Sequence, residues 1–239
     1  MNYQIKITSA IEEVKKLLTS ATIGGSTLKA PIYTDEKIIE IWLDAAHGVD
    51  VPGKRSPDGK HLEYQWSRMM IGKLIPLLEK RGFKVYQSNP TDKEIGLTKR
   101  TQVVTSAPGK FKTFLSIHND AAPSANNGWE NATGISFYTA PGLNASDIFA
   151  ECLLYASQMV KFPETYHRKN IRKDSTNLEA NFAVIKPITY WSCLAEILFQ
   201  NNKKDVERLA DPNFQADCLE MFIIGFEMFN TWVYNTFKK

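Results

Sequence analysis

At 239 residues, 43% hydrophobic and 23% charged, the chain is long enough for one full domain and has a globular rather than a disordered composition. A formal net charge of +3 without a long Lys/Arg run excludes a nucleic-acid footprint, and no apolar run is long enough to insert in a membrane. Three cysteines, Cys152, Cys193 and Cys218, sit in apolar contexts without regular spacing, so they read as buried thiols and not as a disulfide framework.

Residues 1–36 read as an N-terminal helix plus linker. Ile11, Val14, Leu17 and Leu18 fall at helical spacing after a Ser9 cap with Glu12 as its capping-box partner. "IGGSTLKAPIYTDE" then has linker composition. The N-terminus lacks a secretory apolar segment, which predicts a chain that is cytoplasmic as synthesised. Residues 37–239 read as the main domain. Its predicted elements are a buried strand at 38–44 and a helix through "EYQWSRMMIGKLIPLLEKRG" with Trp66, Met69, Met70, Leu74 and Leu77 on one stripe. The strand "FKVYQS", the helix "GLTKRTQVVTSA" and the strands "KTFLSIHNDA" and "GISFYTA" come next. An apolar helix follows over 146–160, then "FAVIKPITYWSCLAEILF" as strand, Pro break, strand, and a terminal helix over 212–237. This alternation predicts an α/β fold, a three-layer α/β/α sandwich with a mixed, mostly parallel central sheet.

Ligand sites of open α/β sheets gather at the carboxyl ends of the strands. His47 and His118 each lie just past a predicted strand end, so the two could converge on one metal ion. A catalytic zinc needs a third protein ligand and an open position. Glu63, at the start of a helix whose dipole favours a carboxylate, is the best-placed candidate; a plain first-turn acid is the alternative, and His61 is a rival ligand. His167 lies in a charged stretch and reads as surface. Glu196 stands inside an otherwise apolar run. A carboxylate there is either paired with a buried cation or kept for proton transfer, with burial raising its pKa toward the useful range.

Taken in order, "LDAAHG", Glu63 opening a helix, "SIHNDA" and "LAEILFQNNKKD" resemble the zinc-dependent N-acetylmuramoyl-L-alanine amidases of the amidase-3 family. That family has a D-x-G-H-G strand end, a helix Glu, an S-I-H-x-N-A strand end and an E-x-x-F-x-x-N-x-x-D segment. "GLTKR" is similar to its L-x-x-R helix, and Gly134–Phe137 to its G-x-x-F/Y strand. The "VPGKRSPDG" loop resembles the phage and prophage endolysin branch found among Bacteroidetes. The resemblance implies that His47, Glu63 and His118 bind Zn2+ and that Glu196 is the general base and acid. It implies peptidoglycan as the partner and cell-wall degradation in the periplasm or wall as the outcome, by cleavage between N-acetylmuramic acid and L-alanine of the stem peptide. The chain departs from the family at Ala46, Tyr64 and Asp120 and in a "KVYQS" strand without the usual Thr-Arg ending. Two rivals remain at this stage. One is another zinc peptidase or amidohydrolase, although His47 lacks the His-x-x-Glu pairing of carboxypeptidase-like enzymes. The other is a degenerate, non-catalytic wall binder. The sequence leaves oligomeric state open.

Overall fold

A computed structural model describes residues 33–160, 178–186 and 189–238, together with Ser9 and Phe162. The elements in chain order are β1 (Glu40–Ala45), α1 (Glu63–Lys80), β2 (Lys84–Gln87), α2 (Leu97–Ser106), β3 (Lys112–Asp120), β4 (Ile135–Thr139), α3 (Ala145–Met159), β5 (Leu178–Glu179), β6 (Trp191–Phe199), α4 (Lys203–Ala210) and α5 (Pro212–Phe237). The N-terminal helix and most of the linker expected from the sequence, and His167, lie outside the described residues.

The strands form one six-stranded sheet in the order β2-β1-β3-β6-β4-β5. Every pair is parallel except β4 with β6. Helices cover both faces, so the expected mixed, mostly parallel α/β sandwich is the fold. The two faces are unequally covered. On one, Ile41, Leu43, Leu115, Ile117, Cys193, Ala195 and Ile197 pack under α1, α3 and α5 in a large apolar cluster. On the other, Trp42, Phe114 and Leu194 meet only a small cluster with Val104 of α2 and Val184, Ile185 and Tyr190. Strand residues alternate between faces, and both faces are buried, so each central strand reads as an unbroken apolar run.

Some expectations shift. β1 spans Glu40–Ala45 instead of 38–44. The buried stripe of α1 is Trp66, Met70, Ile71, Leu74 and Leu78, while Leu77 is 38% exposed. The contact with the sheet follows an i, i+4 row, which carries Leu77 off the seam. "FAVI" is not a strand: Ala183–Ile185 is a single 3-10 turn. β6 is flanked by β3 and β4, leaving no sheet edge beside it, and Val184 and Ile185 instead plug the thinner layer. The largely apolar α3 is set by a capping box between Asn144 and Asp147. α4 was not foreseen; Asn202 caps it by accepting from Lys204 N and Asp205 N.

The long apolar helix α5 carries a few polar residues that secure the entry into β1. Asn230, fully buried, accepts from Ile38 N (2.9 Å) and Ile39 N (3.3 Å) and donates to Glu36 O (2.9 Å). Glu227 pairs with Lys37 at 2.6 Å, and Thr231 Oγ1 accepts from Thr34 N. No helix among the described residues is long and apolar enough to cross a membrane.

Asn230→Ala leaves the buried amide of Ile39 and the carbonyl of Glu36 without their partner. The expected loss is about 2–3 kcal/mol of unfolding free energy, read as a lower urea midpoint at unchanged m. An unchanged midpoint would show that this clamp contributes nothing.

Candidate metal centre at the sheet edge

The strand registers set the site. Asp44 of β1 pairs with Ser116 of β3, which pairs with Leu194 of β6; one row further, His118 pairs with Glu196. All five therefore point to the thinly covered face. His118 lies inside β3, two residues before its end, and not just past it as the sequence reading had it. His47 follows β1 in a turn with a left-handed backbone, φ 48°. A non-glycine residue in that region stores about 1–2 kcal/mol. The next residue must be glycine, because a Cβ at Gly48 would overlap the backbone of Lys93 and Glu94. Glu63 is the first residue of α1, where the helix N-terminus favours its charge.

These elements bring three groups together. Single ligand atoms of His47, Glu63 and His118 all lie within 4.8 Å of one another, as a metal ion requires. Glu63 Oε1 is 2.9 Å from His118 Nδ1 and 3.4 Å from His47 Nε2. The two rings stand edge to face, centroids 5.1 Å apart. Glu63 is 1% exposed, and its Oε2 is buried with no hydrogen-bond partner. Burial alone pushes the Glu63 carboxyl up. The hydrogen bonds and charges of His118 and His47 outweigh it, so its pKa falls below the ordinary carboxylate value.

The hydrogen-bond network makes His118 Nε2 a donor. Ser116 Oγ donates to Asp44 Oδ2 (2.7 Å), so it can only accept from His118 Nε2 (3.0 Å). Nδ1 then faces the Glu63 carboxylate at 2.9 Å, a contact that either a proton on Nδ1 or a bound metal ion satisfies. A metal ion would also supply a partner for the orphaned Glu63 Oε2.

The frame around the ligands is built from residues the sequence reading did not single out for this task. Asp44, fully buried, also accepts from Ser88 Oγ (2.5 Å) and from Arg100 Nη1 (3.2 Å), and Arg100 is in turn gripped by Glu94. Arg68 of α1 donates to the carbonyls of Ala46 (3.0 Å) and His47 (2.8 Å), and Asn89 Nδ2 reaches the carbonyls of Ala45 and His47. Ser67 Oγ accepts from Ala46 N and donates to Ile117 O, tying the ends of β1 and β3. Two signals could have flagged the ion pair: an acid ending the apolar run of β1, and an arginine at helical spacing from Val104, with which it shares the buried face of α2.

His61, the rival ligand, is turned away. Its Nε2 is 2.8 Å from Asn119 Oδ1, and burial lowers its pKa against that hydrogen bond. Asn119 N donates to Glu63 Oε1 (3.2 Å), so His61 braces the neighbour of a ligand and does not join the ligands. Glu196 is half-buried in mid-strand. It lines, with the three ligand candidates, a cleft of about 390 Å³ whose other walls include Lys54, Asp120 and Gln200. Arg100 is held by Asp44 and Glu94. Lys54 is thus the one lysine or arginine of this wall, among the described residues, without an ion-pair partner. The three cysteines are free and buried on the opposite, thickly covered side, their thiols pushed up by burial.

The sequence profile of the family described as N-acetylmuramoyl-L-alanine amidase (Amidase_3) matches residues 41–225. The N-acetylmuramoyl-L-alanine amidase CwlM of Bacillus licheniformis is 25% identical over 182 residues, covering 74% of this chain. The chain spans 63% of the length of that relative. Among solved structures, the catalytic domain of CwlV, an N-acetylmuramoyl-L-alanine amidase from Bacillus (Paenibacillus) polymyxa var. colistinus, aligns with TM-score 0.61 at 22% identity, covering 78% of this chain and 94% of that one. An N-acetylmuramoyl-L-alanine amidase from Clostridium difficile 630 aligns with TM-score 0.68 at 20% identity, covering 85% and 100%. These structures share the fold. The matched residues open in β1 and close inside α5, and contain His47, Glu63, His118 and Glu196.

Ser116→Ala removes the acceptor that fixes His118 Nε2–H. Affinity for a divalent ion is expected to fall about 10–100-fold, measured by competition with a chromogenic chelator, with the fold retained. Unchanged affinity would mean that the serine does not orient the ring.

Proposed function

Because the chain belongs to the N-acetylmuramoyl-L-alanine amidase family, we propose that it is a zinc-dependent peptidoglycan hydrolase. It cleaves the amide between the lactyl group of N-acetylmuramic acid and L-alanine of the stem peptide. The observation that carries this reading is the convergence of His47, Glu63 and His118 at the mouth of a cleft that also receives Glu196. Two imidazoles and one carboxylate with an open side are the donor set of a catalytic zinc, which when bound polarises a carbonyl and acidifies water.

The chain's own residues do the rest. His118 presents Nδ1 because Ser116 holds its other nitrogen. His47 is held in its turn by the grip of Arg68 and Asn89 on its carbonyl. Glu196 takes a proton from the attacking water and delivers it to the departing nitrogen of L-alanine, so the products are a lactyl carboxylate and a free amine. Its place in mid-strand beside His118 gives it a fixed backbone, as proton transfer in a defined geometry requires. Lys54, unpaired at the cleft wall, adds a positive charge to a rim that receives the developing oxyanion or a substrate carboxylate.

The decisive measurement is digestion of purified peptidoglycan with and without a chelator, read by mass spectrometry. Free stem peptides beginning at L-alanine, lost with chelator and restored by zinc, are expected. Intact peptidoglycan with a zinc-loaded protein would reject the reading. Glu196→Gln is expected to retain one zinc per chain and lose about 10²–10⁴ in turnover, and full activity would remove Glu196 from the mechanism. His47→Ala and His118→Ala are each expected to lose stoichiometric zinc by elemental analysis. A variant that still holds it would show that residue is not a ligand.

A further inference from the structure

The loop between β3 and β4 holds a tryptophan that the core does not use. Trp129 is half-buried and belongs to neither apolar cluster. Its loop is nonetheless pinned at three points to the chain leaving β6. Glu130 N donates to Asn201 O (2.7 Å), Asn202 Nδ2 to Ala132 O (3.0 Å) and Thr133 Oγ1 to Asp205 Oδ1 (2.7 Å). Lys203 Nζ sits 5.7 Å from the indole centroid. Beside the indole is a hollow of about 570 Å³, walled by Asn131, Asn202 and Lys203 among others.

Chain order relates this hollow to the candidate metal centre, although the two share no lining residue. Gln200 lines both the cleft and an intermediate hollow of about 290 Å³; Asn201 lines the intermediate hollow; Asn202 and Lys203 line the one beside Trp129. Three recesses thus lie in succession along the residues that follow Glu196. From Glu196 to Lys203 the chain extends at most about 25 Å.

We propose that the Trp129 hollow is a saccharide subsite, which holds the glycan strand away from the sugar that bears the scissile amide. The proposal rests on the amidase reading above. Sugar rings offer C–H faces that lie on a rigid indole, and hydroxyl and acetamido groups that pair with amide side chains. An amphipathic aromatic beside asparagines in a concave site provides both. Lys203 Nζ lies over one face of the indole, so a sugar ring takes the other, and Glu130 and Asp205 in the lining offset Lys203 and Lys204.

The test compares the protein with Trp129→Ala on two substrates. On polymeric peptidoglycan the variant is expected to raise KM about tenfold with kcat within about twofold. On a single-sugar muramyl peptide, which ends before the subsite, the two proteins should agree, and that agreement also shows that the variant is folded. Trp129→Phe should restore most of the loss. Equal losses on both substrates, or none on the polymer, would overturn the subsite. Independently of turnover, a β-1,4-linked N-acetylglucosamine tetramer titrated by calorimetry should bind the parent and not Trp129→Ala, with little change at about 0.5 M salt. No binding to the parent overturns the proposal. So does polymer binding that collapses in salt and depends on Lys203 but not Trp129, which would identify a polyanion surface. If the parent cleaves neither substrate yet binds the tetramer through Trp129, the amidase reading fails and the saccharide site stands.

Discussion

The candidate metal centre depends on a buried ion pair between Asp44 and Arg100, at 0% and 1% exposure. Charges so deep are costly unless every lone pair and proton finds a partner. Here most do: Asp44 accepts from Arg100, Ser88 and Ser116, and Arg100 also grips Glu94 through Nε and Nη2. The pair therefore couples the ends of three neighbouring strands. Ser88 follows β2, Asp44 is on β1, and Ser116 is on β3, one alternation before His118. Through Ser116 the charge of Asp44 reaches the ring of a proposed ligand, favouring the Nε2–H tautomer that frees Nδ1. A hydrophobic substitute of equal volume could fill the space but could not transmit that orientation.

Such a polar row is tolerable because the two faces of the sheet have different tasks. The thickly covered face holds the main apolar cluster with its three inert thiols, and most of the burial that stabilises the fold lies there. The other face, only partly closed by α2 and the 3-10 turn, is where Asp44, Ser116, His118 and Glu196 lie in register. Because alternate residues of each strand go to opposite faces, one sheet builds a core and a site from interleaved positions.

That interleaving explains what the sequence revealed and what it concealed. His47 and Glu63 stand out as candidates because each lies at a boundary, a strand end and a helix start, where residue type and position are informative together. The run around Glu196 looked unbroken, and its alternation is invisible in the letters because Leu194 and Ile197 are both apolar while facing opposite ways. The 3-10 turn at Ala183–Ile185 has strand-like letters, and only the full occupancy of β6 by β3 and β4 denies it a place. Leu77 fell off the buried stripe by a rotation that periodicity alone cannot fix. Arg68, Ser67 and Asn89 were overlooked because their work is on backbone carbonyls and amides, which leave no pattern in the side chains.

The departures from the family's motifs are absorbed by the same logic. The strand β2 lacks a Thr-Arg ending, yet Ser88 supplies a hydroxyl to Asp44 and Asn89 supplies an amide to the His47 turn, with Arg68 of α1 adding a guanidinium from another direction. Near the C-terminus the E-x-x-F-x-x-N-x-x-D segment divides its tasks. Glu196 faces the cleft, and Phe199 is buried while its amide is held by Asp205 Oδ2 at 2.9 Å. Asn202 caps α4 and reaches across to Ala132. Burial pushes the Asp205 carboxyl up, against the hydrogen bonds of Thr133 and Phe199 that oppose it. Those two hydrogen bonds, and not the burial, hold Asp205 as an acceptor at the junction of β6 with the β3–β4 loop. The spacing of this motif follows from geometry: the strand delivers an acid to the cleft, and within a turn of chain Asn202 and Asp205 fasten the β3–β4 loop at Ala132 and Thr133.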